Sequence, residues 1–290
     1  MGAVRRLWII IIIIALVAGV AVAGLAFAAS TFVPAPPSGT ATATASSEEA
    51  SGSPAIIDDE LLGTVEVYLV DDAAVLQPAP APDSLTASVW DTFVRIASVE
   101  FAASRVDEFH VGDAPDVDNA ASVLHMDDRD RWILSANLAV SDERHDLMVT
   151  LVHEFGHILT LQSGQMSTAT GACPTLELDE GCLADDATMW VFHERFWAAY
   201  GDSAPTFDNQ DGALGRGFFD AHEDDFVSDY AATNVIEDIA ESFMVFVLEN
   251  RPTGTSVAAQ KLEFFWGIPE YVEIRERIRA EFADEFGLVG

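Results

Sequence analysis

Apolar residues alternate with polar ones in Thr64-Val-Glu-Val-Tyr-Leu-Val70, and this β-rich run predicts a strand. A proline-rich run over 77–83 ends it. Ser84 then offers an N-cap to a helix reaching about Ala103, with Leu85, Val89, Phe93, Ile96, Val99 and Phe101 along one stripe. The stretch 107–130 is acidic and turn-rich, and Trp132–Leu138 predicts a further strand. Leu147, Met148, Val149, Leu151, Val152, Phe155, Ile158, Leu159 and Leu161 then make a mostly buried helix. Ser141 is its expected N-cap, Asp142 and Glu143 suit the positive end of its dipole, and Gly164 is its expected stop. Aromatic-rich Thr188–Tyr200 and strongly periodic Val235–Leu248 predict two more helices. From Ser256 two amphipathic helices follow, separated by Gly267-Ile-Pro269, with Phe264, Phe265, Trp266, Tyr271, Ile274 and Ile278 packing against the body. Together these elements predict an α+β domain over about residues 56–290.

The amino-terminal pattern is different. Arg5 and Arg6 precede 23 uncharged, mostly apolar residues from Leu7 to Ala29. At about 1.5 Å per residue these span a hydrocarbon core of about 30 Å. No lysine or arginine follows until Arg95, so residues 1–6 are expected in the cytoplasm and the rest of the chain outside it. Ala26-Phe27-Ala28 resembles a signal-peptidase site, so the segment is either a retained anchor, which its length favours, or a cleaved signal. The protein is therefore expected at the cell membrane with an extracytoplasmic domain, or secreted. Residues 30–55 contain hardly any bulky apolar side chains and read as a disordered linker.

Charge narrows the function further. Lys plus Arg number 14 against 48 Asp plus Glu, a formal net charge of −34, which argues against nucleic acid as a partner. Cys173 and Cys182, the only cysteines, both lie on the exported side, where an oxidising compartment favours a disulfide. A second zinc site made from both thiolates is disfavoured by their spacing. Asp208, Asp211, Asp220, Asp224 and Asp225 invite a calcium site, but their spacing fails the EF-hand rule.

The chemistry concentrates in the buried helix, which carries His153-Glu154-Phe-Gly-His157. Four residues make a little over one helical turn, so the two imidazoles share a face on which they can grip one zinc ion. Glu154, at the edge of that site, can take a proton from a zinc-bound water. Two histidines and a glutamate in so apolar a helix would be costly to bury without a metal. His110, His125, His193 and Glu194 have no partners at ligand spacing and read as structural or surface groups.

Catalytic zinc takes three protein ligands and a water, so a third is required. A metzincin would need glycine at 160 and histidine at 163, where this chain has Thr160 and Ser163. Glu237 and Glu241 fall at i and i+4 on one helix face, with no lysine or arginine between residues 217 and 250, so something cationic is expected opposite them. Glu237 also has a structural reading, as the N3 residue of a capping box begun by Asn234.

HEFGH followed downstream by Glu-x-x-x-Glu is similar to the gluzincins. The run Tyr230-x-x-Thr-Asn234-x-x-Glu237-x-x-x-Glu241 further resembles lethal-factor-type peptidases and secreted bacterial zinc metallopeptidases. The resemblance implies a zincin-like fold, one catalytic Zn2+ held by His153, His157 and Glu237, Glu154 as general base, Tyr230 as donor to the oxyanion, and Glu241 steadying a ligand histidine. Asp238 and Glu241 are substitutes for the third ligand. It also implies that the strand before the motif helix, 132–138, is a sheet edge to which an extended substrate adds. The separation of about 80 residues between His157 and Glu237 exceeds the spacing in compact gluzincins, so the cysteine loop and the helix from Thr188 read as an insertion able to shape the cleft. The expected function is an extracytoplasmic zinc peptidase acting on a peptide or protein. The alternative is a membrane-tethered binding or structural protein on the same scaffold.

Overall fold

The structure, a computed structural model, describes residues 52–126, 130–141 and 144–286. The apolar segment 7–29 and most of the expected linker lie outside these residues, as do Asp142 and Glu143. Among the described residues no helix is long and apolar enough to cross a membrane.

The fold is mixed α+β. Strands β1 (Ala55–Asp59) and β2 (Gly63–Val70) form an antiparallel hairpin. The Asp59 carboxylate accepts the N–H groups of Leu61 and Leu62, and Gly63 takes a φ of 68° to close the turn. β1 thus begins at Ala55, the residue at which the linker was expected to end. β3 (Leu76–Gln77) pairs with the far end of β2. The helix predicted from Ser84 is two helices, α1 (Leu85–Ala97) and α2 (Val99–Arg105). Ser98 breaks it with a φ of 88° and caps α2, its hydroxyl accepting from Phe101 N.

The stretch read as turns over 107–130 holds two strands, β4 (Val106–Gly112) and β5 (Ala121–His125), followed by β6 (Trp132–Asn137). The sheet order is β1-β2-β4-β6-β5, with β4 and β6 parallel and the other pairs antiparallel. β6 is therefore interior, and β5 is the edge on that side of the sheet. Buried Asn137, at the end of β6, holds the loop before β5: its amide accepts from Ala114 N and donates to the carbonyls of Ala114 and Val117.

α3 (Arg144–Leu161) packs against α1, β5 and α6 (Val235–Leu248). The described part of α3 begins at Arg144, and the Ser141 hydroxyl, expected to cap it, donates to Asn137 O. Between α3 and α6 lie a small hairpin of β7 (Glu177–Leu178) and β8 (Gly181–Cys182), closed by the Cys173–Cys182 disulfide, then α4 (Thr188–Phe196) and α5 (Gly212–Ala221).

α7 (Val257–Trp266) and α8 (Pro269–Glu281) complete the body. Lys261 on α7, the only lysine of the chain, is fully buried, with Nζ 2.6 Å from Asp238 Oδ2 on α6 and 3.7 Å from the centre of the Phe226 ring. On α8, Arg275 and Arg279 donate to carbonyls at the end of α6 (Phe246, Val247, Leu248 and Glu249), and Arg277 to those of Arg95 and Ile96 in α1. These helix ends would otherwise present unsatisfied acceptors.

Candidate metal centre

His153 and His157 project from α3 with their Nε2 atoms 2.9 Å apart. Glu237, in the first turn of α6, places Oε2 3.2 Å from the first and 3.4 Å from the second. The circle through these three atoms has a radius of about 1.8 Å, just inside the ligand distance of about 2.0–2.2 Å that zinc makes with nitrogen and carboxylate oxygen. One ion can therefore reach all three. Glu237 Oε2 is buried and has no well-directed hydrogen bond, an acceptor that such an ion would satisfy. Among the described residues this is the only such grouping of histidine and acid side chains.

Asn234 does cap α6, accepting from Glu237 N at 2.9 Å. The cap fixes the first turn, while the Glu237 side chain turns toward the histidines rather than back on Asn234. Gly156, the fourth residue of the motif, brings the two helices close. A Cβ there would lie 2.9 Å from Phe243 Cδ1 and 3.4 Å from Ala240 Cα, both on α6.

The second carboxylate of the pair, Glu241, is buried with Oε1 2.9 Å from His153 Nδ1. This contact orients the ring so that Nε2 faces the metal position. Glu241 Oε2 accepts the Ser228 hydroxyl, which in turn accepts from Ala231 N. Ser228 was not foreseen, and nothing in its local pattern sets it apart from other loop serines. Burial alone would depress the His153 imidazole, but Glu237 and Glu241 outweigh it and raise its pKa well above the usual value. Glu237, despite burial, is held far below the usual carboxylate range by the two histidines.

Glu154 is buried beside the tripod and accepts a hydrogen bond from Val123 N on β5. Burial pushes its pKa up, with Glu237 adding to the effect. The Tyr230 hydroxyl is hydrogen-bonded to Glu237, and its ring centre is 5.9 Å from that of His153. Burial and then the surrounding carboxylates raise its pKa well above that of a free phenol.

These groups open into a cleft of about 770 Å³ whose wall includes the whole of β5. The strand running beside the site is thus β5, and the expectation that 132–138 forms the edge is corrected. Alternation along β6 could not reveal that the next strand outward precedes it in sequence. Of the expected insertion, Glu180 at the turn of the disulfide-closed hairpin reaches the cleft wall, whereas α4 contributes nothing to it.

Asp238 is not a substitute ligand. It faces the other side of α6, where it meets Lys261 and accepts from Trp197 Nε1 at 2.6 Å. Lys261 thus serves Asp238, and Glu237 and Glu241, opposite which a cationic group was expected, face the two histidines. His110 is buried against Glu108, His193 is stacked on Trp190 beside Glu194, and His125 stands edge-on to Trp132 in the cleft wall. The acids 208–225 form no cation-holding group; Asp211 caps α5 and Asp225 accepts from Tyr200. Comparison with protein-family models, curated proteins and solved structures finds no match to this chain.

Proposed function

We propose that the chain is an extracytoplasmic zinc peptidase with a zincin-like, gluzincin-type domain. The observation that carries this reading is the convergence of His153 Nε2, His157 Nε2 and Glu237 Oε2 within 3.4 Å of one another, with buried Glu154 alongside in a cleft bordered by an edge strand. Two ring nitrogens and one carboxylate suit zinc, and leave a coordination position open.

Bound there, zinc supplies a Lewis acid that polarises a peptide carbonyl and acidifies a water molecule. The chain's own residues do the rest. His153 is kept in one orientation by Glu241, which accepts a hydrogen bond from Nδ1–H so that Nε2 stays unprotonated and available as a ligand. Glu154 accepts the proton of the attacking water and delivers it to the leaving amine nitrogen. Its raised affinity for a proton brings it nearer to the working pH than an exposed carboxyl would be. Tyr230 stays protonated and donates to the substrate oxygen that gains charge. Outward main-chain groups of β5 hold the substrate backbone extended along the cleft. The segment 7–29 places this site outside the cytoplasm, tethered or released.

Glu154→Gln tests the reading. The variant should bind one equivalent of zinc as the parent does and lose nearly all cleavage of a mixed peptide library. Retained proteolysis rules out this role for Glu154. Stoichiometric zinc in a parent protein that cleaves no peptide supports the tethered binding protein instead.

A further inference from the structure

In the loop before α6, Ser228 reaches the metal position only through another side chain. Its hydroxyl donates to Glu241 Oε2, and Glu241 Oε1 lies 2.9 Å from His153 Nδ1. The same hydroxyl oxygen accepts from Ala231 N at 3.0 Å, the N–H of the peptide unit that joins Tyr230 to Ala231. Ser228 thus stands between a ligand histidine on one side and the main chain that presents Tyr230 on the other. Ser228, Glu241 and Tyr230 all line the cleft.

This hydrogen-bond chain has a fixed direction. A main-chain N–H can only donate, so Ser228 Oγ accepts from Ala231 and its own hydrogen is left for Glu241. Glu241 then receives at both oxygens, from the serine at Oε2 and from the imidazole at Oε1. That selects the ring tautomer with hydrogen on Nδ1 and turns Nε2 to the metal position. Glu241 is only 5 % exposed, so without the hydroxyl its Oε2 would be a buried acceptor lacking that donor, an arrangement interiors avoid. The carboxylate would turn to recover a donor and loosen its hold on the ring. At the other end Ala231 N would lose its acceptor, leaving the turn around Tyr230 to the bonds from Ala232 N to Asp229 O and from Thr233 N to Tyr230 O.

We propose, resting on the metal-centre and peptidase readings above, that Ser228 is a positioning residue that ties His153 and Tyr230 to one hydroxyl. It holds Glu241 so that the ring keeps Nε2 on the metal, and it holds the Tyr230 peptide unit so that the phenol meets the substrate oxygen. Metal retention and turnover therefore weaken together when the hydroxyl is removed.

Full-length Ser228→Ala tests this beside the parent, Ser228→Thr and Ser242→Ala. Ser242 is a fully buried serine of α6 whose hydroxyl donates to Asp238 Oδ1, away from the histidines, and its loss should leave the metal site unchanged. Zinc competition against a chromogenic chelator should show Ser228→Ala weakened about fivefold, below the loss of about 10–100-fold expected for a direct partner of a ligand. The visible spectrum of the cobalt-substituted protein should shift, because its bands report the arrangement of the ligands. Ser228→Thr keeps a hydroxyl at the same place and should restore both. In a Glu241→Ala background, Ser228→Ala should change zinc affinity no further, since a residue that acts through another loses its effect when that other is gone. If Glu241→Ala does not fold, the contrast between Ser228→Ala and Ser228→Thr decides. At saturating zinc, kcat of Ser228→Ala on a fluorogenic peptide should fall about fivefold with KM unchanged, the pattern of an interaction made in the transition state.

Unchanged zinc affinity and cobalt spectrum in Ser228→Ala, an equal loss in Ser242→Ala, or an undiminished effect in the Glu241→Ala background overturns the proposal and leaves the metal centre standing. Metal effects with an unchanged kcat cut the link to Tyr230 and overturn the joint role. A parent protein that binds no zinc removes the metal centre and the proposal with it. If the parent binds zinc but cleaves no peptide, the zinc and cobalt measurements still decide the role of Ser228 at His153, and only its role at Tyr230 falls with the peptidase reading.

Discussion

Gly156→Ala adds one methyl group where α3 runs against α6, and it sets helix propensity against packing. In an isolated helix the change would stabilise by about 1 kcal/mol. Here the new carbon would lie 2.9 Å from Phe243 Cδ1 and 3.4 Å from the Ala240 backbone. Phe243 is fully buried, and the rings of Phe155, Phe246, Phe265 and Tyr271 stand with their centres 5.7–6.4 Å from its own. Close-packed interiors offer little room for such a ring to turn, so α6 must shift outward by a few tenths of an ångström. Overpacking of this kind costs about 1–3 kcal/mol, which the propensity gain reduces to about 0–2 kcal/mol net. Glu237 lies on α6 only three residues before Ala240, so the same shift draws its carboxylate away from the histidines. A loss of about 1.4 kcal/mol in coordination lowers zinc affinity about tenfold.

The assay pairs thermal unfolding of the metal-free protein with zinc competition against a chromogenic chelator. Gly217→Ala on α5 is the control, because nothing lies within 4 Å of its added carbon, and it should gain up to about 1 kcal/mol. If Gly156→Ala stabilises as the control does and binds zinc with unchanged affinity, the close approach of α3 and α6 does not set the tripod.

Glu241→Gln should weaken zinc binding by about 10–100-fold, read by the same competition, because the His153 ring loses the carboxylate that orients it. Lys261→Met should lower stability by about 3–5 kcal/mol in denaturant unfolding, since it leaves Asp238 buried without its cation. Lys261→Met/Asp238→Leu should recover most of that loss, and a double variant as unstable as the single one argues against the pair as the cause. In the metal-free protein His153 has a raised pKa, so the folded state holds that proton more tightly than the unfolded chain does. The resulting stabilisation is complete below about pH 6.5 and disappears as pH rises through the folded-state value. Metal-free protein should therefore weaken as pH is raised above neutrality. Zinc-loaded protein should weaken on acidification, where protons compete for the imidazoles. Parallel pH profiles for the two forms contradict the assignment.

The parts of this molecule legible in its sequence are those whose chemistry is local. Helical periodicity located α3 and α6, and the one-turn spacing of His153 and His157 was enough to expect a shared face. The Asn234 cap and the shared face of Glu237 and Glu241 were legible because caps and i,i+4 faces are properties of a single helix. Strands β4 and β5 were taken for turns, because in Asp107-Glu-Phe-His-Val111 and Ala121-Ser-Val-Leu-His125 the polar residues mask the alternation. Which strand forms the edge is a property of pairing, and pairing leaves no trace in one strand's pattern. The break at Ser98 was hidden for a related reason: serine is tolerated in helices, and only tertiary packing imposes its positive φ. α5 carries Gly212, Gly215 and Gly217, which lower its helix propensity. Gly215 is used because its added Cβ would meet the Thr233 backbone at 2.9 Å. Asp238 could not be told from a ligand until Lys261 was placed beside it.

The burial of Lys261 has a practical corollary. It is the only ε-amino group in the sequence, and in the folded protein none of its surface is open to solvent. Amine-directed labels, isopeptide-forming conjugation at lysine and proteases that cut after lysine can therefore reach it only when α7 lifts from α6. Pulse labelling followed by mass spectrometry at this one side chain would time that opening directly, without an added reporter and without changing a residue.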